Sequence, residues 1–155
     1  MKKLKIILFL FGLFSFICYS QDCSDYSKWA DCRKSYKRHY NIYLQPKNAT
    51  IGINDTLTYN IVFYGNRDYI ISFCTAQINH PINIKLLQPE TGLELYDNAT
   101  DNYCETFRVG FYNTQNLILE VTLLADKLDK DKLESKDKAC VGMILQWKKI
   151  FFKME

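Results

Sequence analysis

Histidine is nearly absent: His39 and His80 are the only two in 155 residues. No Cys/His spacing matches a zinc site, and no Gly-x-Ser-x-Gly elbow or comparable nucleophile motif occurs, so the chain announces neither a zinc centre nor an activated serine. Surplus charge is missing as well. The formal net charge of +3 comes entirely from Lys2, Lys3 and Lys5, in an opening segment without acids, and the rest of the chain is neutral. A neutral domain lacks the basic footprint of a nucleic-acid binder and any pull toward anionic lipid. Beyond the opening segment no apolar run reaches membrane-spanning length, and no repeat or low-complexity tract appears.

What is present begins with that opening. Met1-Lys-Lys-Leu-Lys precedes an apolar run from Ile6 to Ile17, and Ser20 supplies a small residue. Residues 1–20 read as a secretory signal removed on export, too short to span a bilayer. The mature chain is expected in the periplasm, on the outer surface or outside the cell, with length for one domain. Cys18 follows Phe16-Ile17, which is no lipobox, and departs with the signal. Cys23, Cys32, Cys74, Cys104 and Cys140 remain, an odd number in a disulfide-forming compartment.

Residues 21–38 have helical periodicity, with Tyr26, Trp29, Ala30, Cys32 and Tyr36 on one half of the wheel. From Tyr40 the period changes to two. Leu57, Tyr59, Ile61 and Phe63 alternate with Thr56, Thr58 and Asn60; Phe107, Val109 and Phe111 alternate with Thr106 and Arg108; Val141, Met143, Leu145 and Trp147 mark a last strand. The expectation is a mainly β fold: a single antiparallel β-sandwich of about eight strands over residues 39–155, jelly-roll-like, with an N-terminal amphipathic helix packed on one sheet. Asp126 to Lys138 reads as a solvated charged loop.

Cys74, Cys104 and Cys140 fall on the face opposite the core residues of their strands, which makes sense if the N-terminal segment covers that face. On a continuous helix Cys23 and Cys32 would stand about 13.5 Å apart along the axis, beyond disulfide reach. The expectation is two disulfides joining Cys23 and Cys32 to Cys74 and Cys140, with the pairing within that set open. Cys104 is left as a free or intermolecular thiol, so that a monomer is expected and a Cys104-linked dimer is the alternative.

Cys23 and Cys32 in a Tyr-rich opening, Tyr64-Gly-Asn-Arg-Asp-Tyr69-Ile-Ile-Ser-Phe-Cys74, Leu95-Tyr-Asp-Asn98 and Cys140-Val-Gly-Met-Ile resemble a group of small secreted, functionally uncharacterised proteins of Bacteroidetes. The resemblance implies a compact disulfide-stabilised sandwich with two bridges and no cysteine at the position of Cys104. The strand pattern also resembles, more distantly, the bacterial pre-peptidase C-terminal domain. Neither supplies a catalytic residue.

Tyr96, Asp97, Asn98, Asp101 and Asn102 form a candidate binding or calcium loop, because calcium takes hard oxygens from flexible loops. Turn chemistry explains the same residues, and no other cofactor or metal is called for. Asp55-Thr56-Leu57 resembles the Bacteroidetes O-glycosylation acceptor, which makes Thr56 a candidate modification site. Tyr64, Tyr96 and Tyr112 are aromatics left over once core and helix positions are filled. The functional expectation is an exported, non-catalytic module that binds a protein or glycan. The alternative is a small secreted hydrolase or a hydrolase inhibitor. Its binding surface is expected at an end shared by Gly65–Asp68, Asp97–Asn102 and Asp126–Lys138, because loops on a rigid scaffold carry recognition residues.

Overall fold

The computed structural model describes residues 23–28, 32, 36–75, 81–124 and 138–150. The segment expected to be a signal, His80 and the charged loop up to residue 137 lie outside these residues. Alternating sequence becomes nine strands among the described residues: β1 (Asn41–Ile42), β2 (Lys47–Gly52), β3 (Thr56–Phe63), β4 (Arg67–Thr75), β5 (Ile82–Leu87), β6 (Glu94–Asp97), β7 (Thr106–Phe111), β8 (Gln115–Leu123) and β9 (Lys138–Lys149). They form two antiparallel sheets. The first runs β1-β9-β4-β7, with β2 sharing the β9 edge that β1 also uses; the second runs β3-β8-β5-β6. The extra strand is β2, whose sequence Lys-Asn-Ala-Thr-Ile-Gly has no clear alternation and opens just after Pro46.

Between the sheets lie Phe63, Tyr69, Ile71, Phe73, Leu119 and Met143, each at most 2 % exposed. Full burial of such a side chain is worth roughly 1.5–3 kcal/mol. Strand β9 is buried on both faces: Val141, Met143 and Leu145 enter this core, while Cys140, Gly142, Ile144 and Gln146 face outward and are buried too. An antiparallel sheet ordinarily leaves its outer face to water. Here the N-terminal segment covers it, and Cys23, Tyr26, Cys32, Cys74, Cys140 and Ile144 make a second apolar cluster.

Two disulfides fasten this cover, Cys23–Cys140 and Cys32–Cys74. Main-chain groups of the segment are met by side chains of the sheet. Asn48 on β2 donates through Nδ2 to the Ser24 carbonyl (2.6 Å) and accepts through Oδ1 from the Ser27 N–H (2.7 Å). Gln146 accepts the Lys37 N–H through Oε1 at 3.0 Å and donates through Nε2 to the Lys37 carbonyl. A continuous helix over residues 21–38 therefore finds no support. Among the described residues of the segment, Tyr26–Lys28 form a 3-10 turn, Cys32 alone is α-helical, and the chain is no longer helical from Tyr36 on. Residues 29–31 and 33–35 lie outside the described residues. The physical reason is competition: sheet side chains take the backbone groups that a helix would use internally. Gly142 is what lets the segment settle so closely, since a Cβ there would stand 2.8 Å from Cys74 Sγ and 3.3 Å from Ser27 Cα.

Beyond the disulfide-fastened cover, the same face carries a polar cluster. Asp68 is 3 % exposed. Its carboxylate accepts from Arg108 Nε (2.7 Å) and Tyr40 Oη (2.6 Å), with Lys148 Nζ at 3.6 Å. Burial alone would raise the pKa of Asp68, but the bonds from Arg108 and Tyr40 and the two nearby cations outweigh it and hold the carboxyl below its ordinary value.

Candidate functional site

Strand registers separate one of the three loops expected to act together, Gly65–Asp68, from Asp97–Asn102 and from the strand ends that bracket the charged loop. The turn after β3 lies at one end of the sandwich with the β7–β8 loop, since Phe63 pairs Gln115 and Arg67 pairs Phe111. The ends of β8 and β9 that bracket the charged loop, Leu123 and Lys138, lie at the opposite end. Residues 98–105 run from the edge strand of one sheet to that of the other, beside the start of β5. The three loops do not share an end, because each strand reversal between the sheets moves the next connection to the other pole.

The candidate binding or calcium loop is built as a structural corner, as its turn chemistry also suggests. Asp97 caps the 3-10 turn Asn98–Asp101 by accepting from the Ala99 N–H at 2.9 Å, and it also takes bonds from Asn83 Nδ2 (2.7 Å) and Lys85 Nζ (3.2 Å). Burial works to raise its pKa, and these donors overcome that and lower it. Asn98 is fully buried. Its Oδ1 accepts from the Ile84 N–H (2.8 Å) and Asn83 Nδ2 (3.2 Å), and its Nδ2 donates to the carbonyls of Ile82 (3.0 Å) and Cys104 (3.2 Å). Asn102 and Tyr103 close the corner with positive φ of 49° and 56°. Tyr96 stacks on Phe107 with centroids 4.3 Å apart, its Oη buried and without a partner among the described residues. The side-chain oxygens of Asp97 and Asn98 are thus spent on protein donors. Among the described residues no three His, Cys, Asp or Glu side chains gather to hold a metal ion.

The opposite end is aromatic. Tyr69, fully buried, accepts the Tyr64 N–H through its Oη at 2.8 Å and donates to the Tyr64 carbonyl, fixing the β3–β4 turn. Gly65 donates to Thr114 Oγ1 at 3.0 Å; a Cβ on Gly65 would stand 2.5 Å from the Tyr112 carbonyl, so the two loops abut. The Arg67 guanidinium lies 3.9 Å from the Trp147 ring centroid and 5.0 Å from that of Tyr64. Tyr43 meets Tyr64 and Tyr69 edge-on, and its hydroxyl donates to the Val62 carbonyl. On this frame Tyr64 is 47 % and Tyr112 71 % exposed. Nothing in the linear sequence marks Arg67, within the Gly65–Asp68 loop, or Tyr43 as part of this aromatic frame. The partners of Arg67 are three residues before it and 80 after, and only the former spacing is visible in a linear reading.

On the flank, β3 and residues 44–47 border a cleft of about 490 Å³ with Leu44, Lys47, Thr58, Asn60, Ile61 and Met143 in its walls. Among the described residues strand β3 is a sheet edge, and its backbone has a defined facing. The Leu123 N–H bonds to the Asp55 carbonyl, whereas the Val62 carbonyl is turned outward to Tyr43. In an antiparallel pair the bonding direction alternates, so odd residues bond to β8 and the N–H and C=O of Thr58 and Asn60 face the cleft.

The remaining expected positions are quickly placed. Cys104 is a free, exposed thiol directed at the Thr106 carbonyl, 3.1 Å away. Thr56 is exposed and shares a hydroxyl hydrogen bond of 2.7 Å with Thr122. His39 is exposed in a turn.

No family model matches the chain, and no curated protein matches it. Among solved structures it is similar to a periplasmic inhibitor of g-type lysozyme, PliG of Aeromonas hydrophila, at 10 % identity and a TM-score of 0.47, over 67 % of this chain and 85 % of that one.

Proposed function

We propose that the mature chain is an exported, non-catalytic module that binds a protein or glycan through its aromatic end. The observation that carries the reading is Tyr64 and Tyr112, exposed on abutting loops, with Arg67 clasped between Tyr64 and Trp147. Exposed aromatic rings fixed by a rigid frame lose little entropy on contact and offer flat apolar area with polar edges. Two disulfides support an oxidising destination, and no helix among the described residues is long and apolar enough to cross a membrane. An inhibitor of a secreted hydrolase would be one form of such a module. The hydrolase reading itself gains nothing from the described residues, where His39 stands exposed in a turn.

The test is a glycan array together with crosslinking of the mature chain to intact cells, each repeated with Tyr64→Ala plus Tyr112→Ala and with Asp97→Ala. Loss of the retained ligand with the tyrosine pair alone supports the reading. A ligand held equally by the tyrosine variant moves the site elsewhere. Turnover in a hydrolase screen, abolished by changing one Asp, His or Ser, overturns the non-catalytic assignment.

A further inference from the structure

We propose that the open edge of β3, at the cleft beside residues 44–47, takes an extended acidic peptide segment of a partner protein as an added strand. Proteins normally blunt sheet edges with charge, proline, bulges or brevity. The other edges here follow that rule. β1 has two residues; β2 begins with Lys47 directly after Pro46; β6 has four residues, Glu94 and Asp97 among them, and a register shift against β5; β7 carries Arg108. β3 breaks it. Its eight residues, Thr-Leu-Thr-Tyr-Asn-Ile-Val-Phe, hold no charge and no proline, and its pairing with β8 is unbroken from Thr56 to Phe63. The main-chain groups of Thr58 and Asn60 are therefore a straight, uncharged template for one more strand.

The cleft decides what kind of strand fits. Leu44 and Lys47 stand across from Thr58 and Asn60, with Ile61 and Met143 at its apolar side. An occupant must be narrow, an extended chain rather than the flank of a folded domain. Among the described residues, Lys47 is the one charged residue lining it, is exposed, and has no ion pair. A carboxylate side chain on the incoming strand would meet that unpaired ammonium. A second copy pairing β3 to β3 would instead bring two Lys47 side chains and two cleft walls against each other. Tyr43, already bonded to the Val62 carbonyl, closes one end and sets the register at Thr58 and Asn60.

This surface is separate from the aromatic end, and the experiment distinguishes them. Random linear peptides displayed on phage are selected on the purified mature chain, and the winners are synthesised. Selected sequences should be enriched in Asp and Glu. Binding should fall about tenfold for Asn60→Pro, which removes one outward N–H on an edge where proline is tolerated. It should fall by a smaller factor for Lys47→Glu and stay unchanged for Tyr64→Ala plus Tyr112→Ala. N-methylation of alternate peptide amides, which leaves the protein untouched, should abolish binding and covers the case in which Asn60→Pro fails to fold. No selectable peptide, selection without acidic bias, or full binding by the N-methylated peptide overturns the proposal. So does a dimer of the free chain dispersed by Asn60→Pro, which would assign the edge to a second copy. Peptides lost with the tyrosine pair but kept by Asn60→Pro would overturn it in favour of the aromatic end.

Discussion

Replacing Asn98 with alanine separates a structural corner from a ligand loop. The change strips partners from three main-chain groups at once: the Ile84 N–H and the carbonyls of Ile82 and Cys104. A buried polar group left unsatisfied costs roughly 1–3 kcal/mol, so Asn98→Ala should lose about 3–5 kcal/mol, allowing for some water entry. That is a large share of the roughly 5–15 kcal/mol by which a domain is stable. With a urea dependence of about 2 kcal/mol per molar, the unfolding midpoint should drop by about 2 M. Asn98→Asp preserves volume and the bond from Ile84, but it turns an acceptor toward two carbonyls that now lie 3.0 and 3.2 Å from a donor. It should be at least as damaging at neutral pH and partly relieved in acid, where a protonated carboxyl donates again. Urea titration followed by tryptophan fluorescence, with and without calcium, is the assay. A loss under about 1 kcal/mol for Asn98→Ala, or a calcium-dependent rise in the wild-type midpoint that Asn98→Asp enlarges, would refute the structural reading.

Removing Cys23 and Cys140 together should cost about 5 kcal/mol and removing Cys32 and Cys74 about 4 kcal/mol, on a loop-closure estimate for sequence separations of 117 and 42. Non-reducing peptide maps should show those two bridges, with Cys104 alkylated before reduction. Gly142→Ala should cost roughly 1–3 kcal/mol by overpacking, since its Cβ would meet two disulfide sulfurs at 2.8 and 3.1 Å. Gly110→Ala is the control, with its nearest neighbour at 3.6 Å, and thermal melts should find it neutral or slightly stabilised. Because the Asp68 pKa is lowered in the folded state, its contribution is complete above the unfolded carboxyl value near 3.8 and is lost as pH falls through the lower folded value. Asp68→Asn should therefore destabilise at neutral pH and flatten the acid limb of a stability–pH profile; an unchanged limb would refute the assignment.

Chemistry that acts between neighbours in sequence was legible in the chain. Alternation from Thr56 onward placed most strands and their inward faces, because a pleated strand buried on one side must alternate. The outward parity of Cys74 and Cys140 pointed to a cover on one sheet, because cysteine on a bare face has no packing rationale. The helical periodicity of residues 21–38 finds support among the described residues only at the 3-10 turn Tyr26–Lys28 and at Cys32, while the stripe of Tyr26, Cys32 and Tyr36 is an apolar surface on a segment held by Asn48, Gln146 and two disulfides. Strand β2 was missed because its only support is hydrogen bonding to β9, about 90 residues later.

Sequence by itself determined the period switch, the balance of charge over residues 21–155 and the outward parity of Cys74 and Cys140, since composition and local spacing carry these. Tertiary structure alone decided which cysteines pair, that Asp97 and Asn98 brace a corner, that Arg67 lies between Tyr64 and Trp147, and that β3 is an open edge. Each of these depends on which strands become neighbours, a choice made by the joint burial of residues far apart in the chain and visible in no single segment of it.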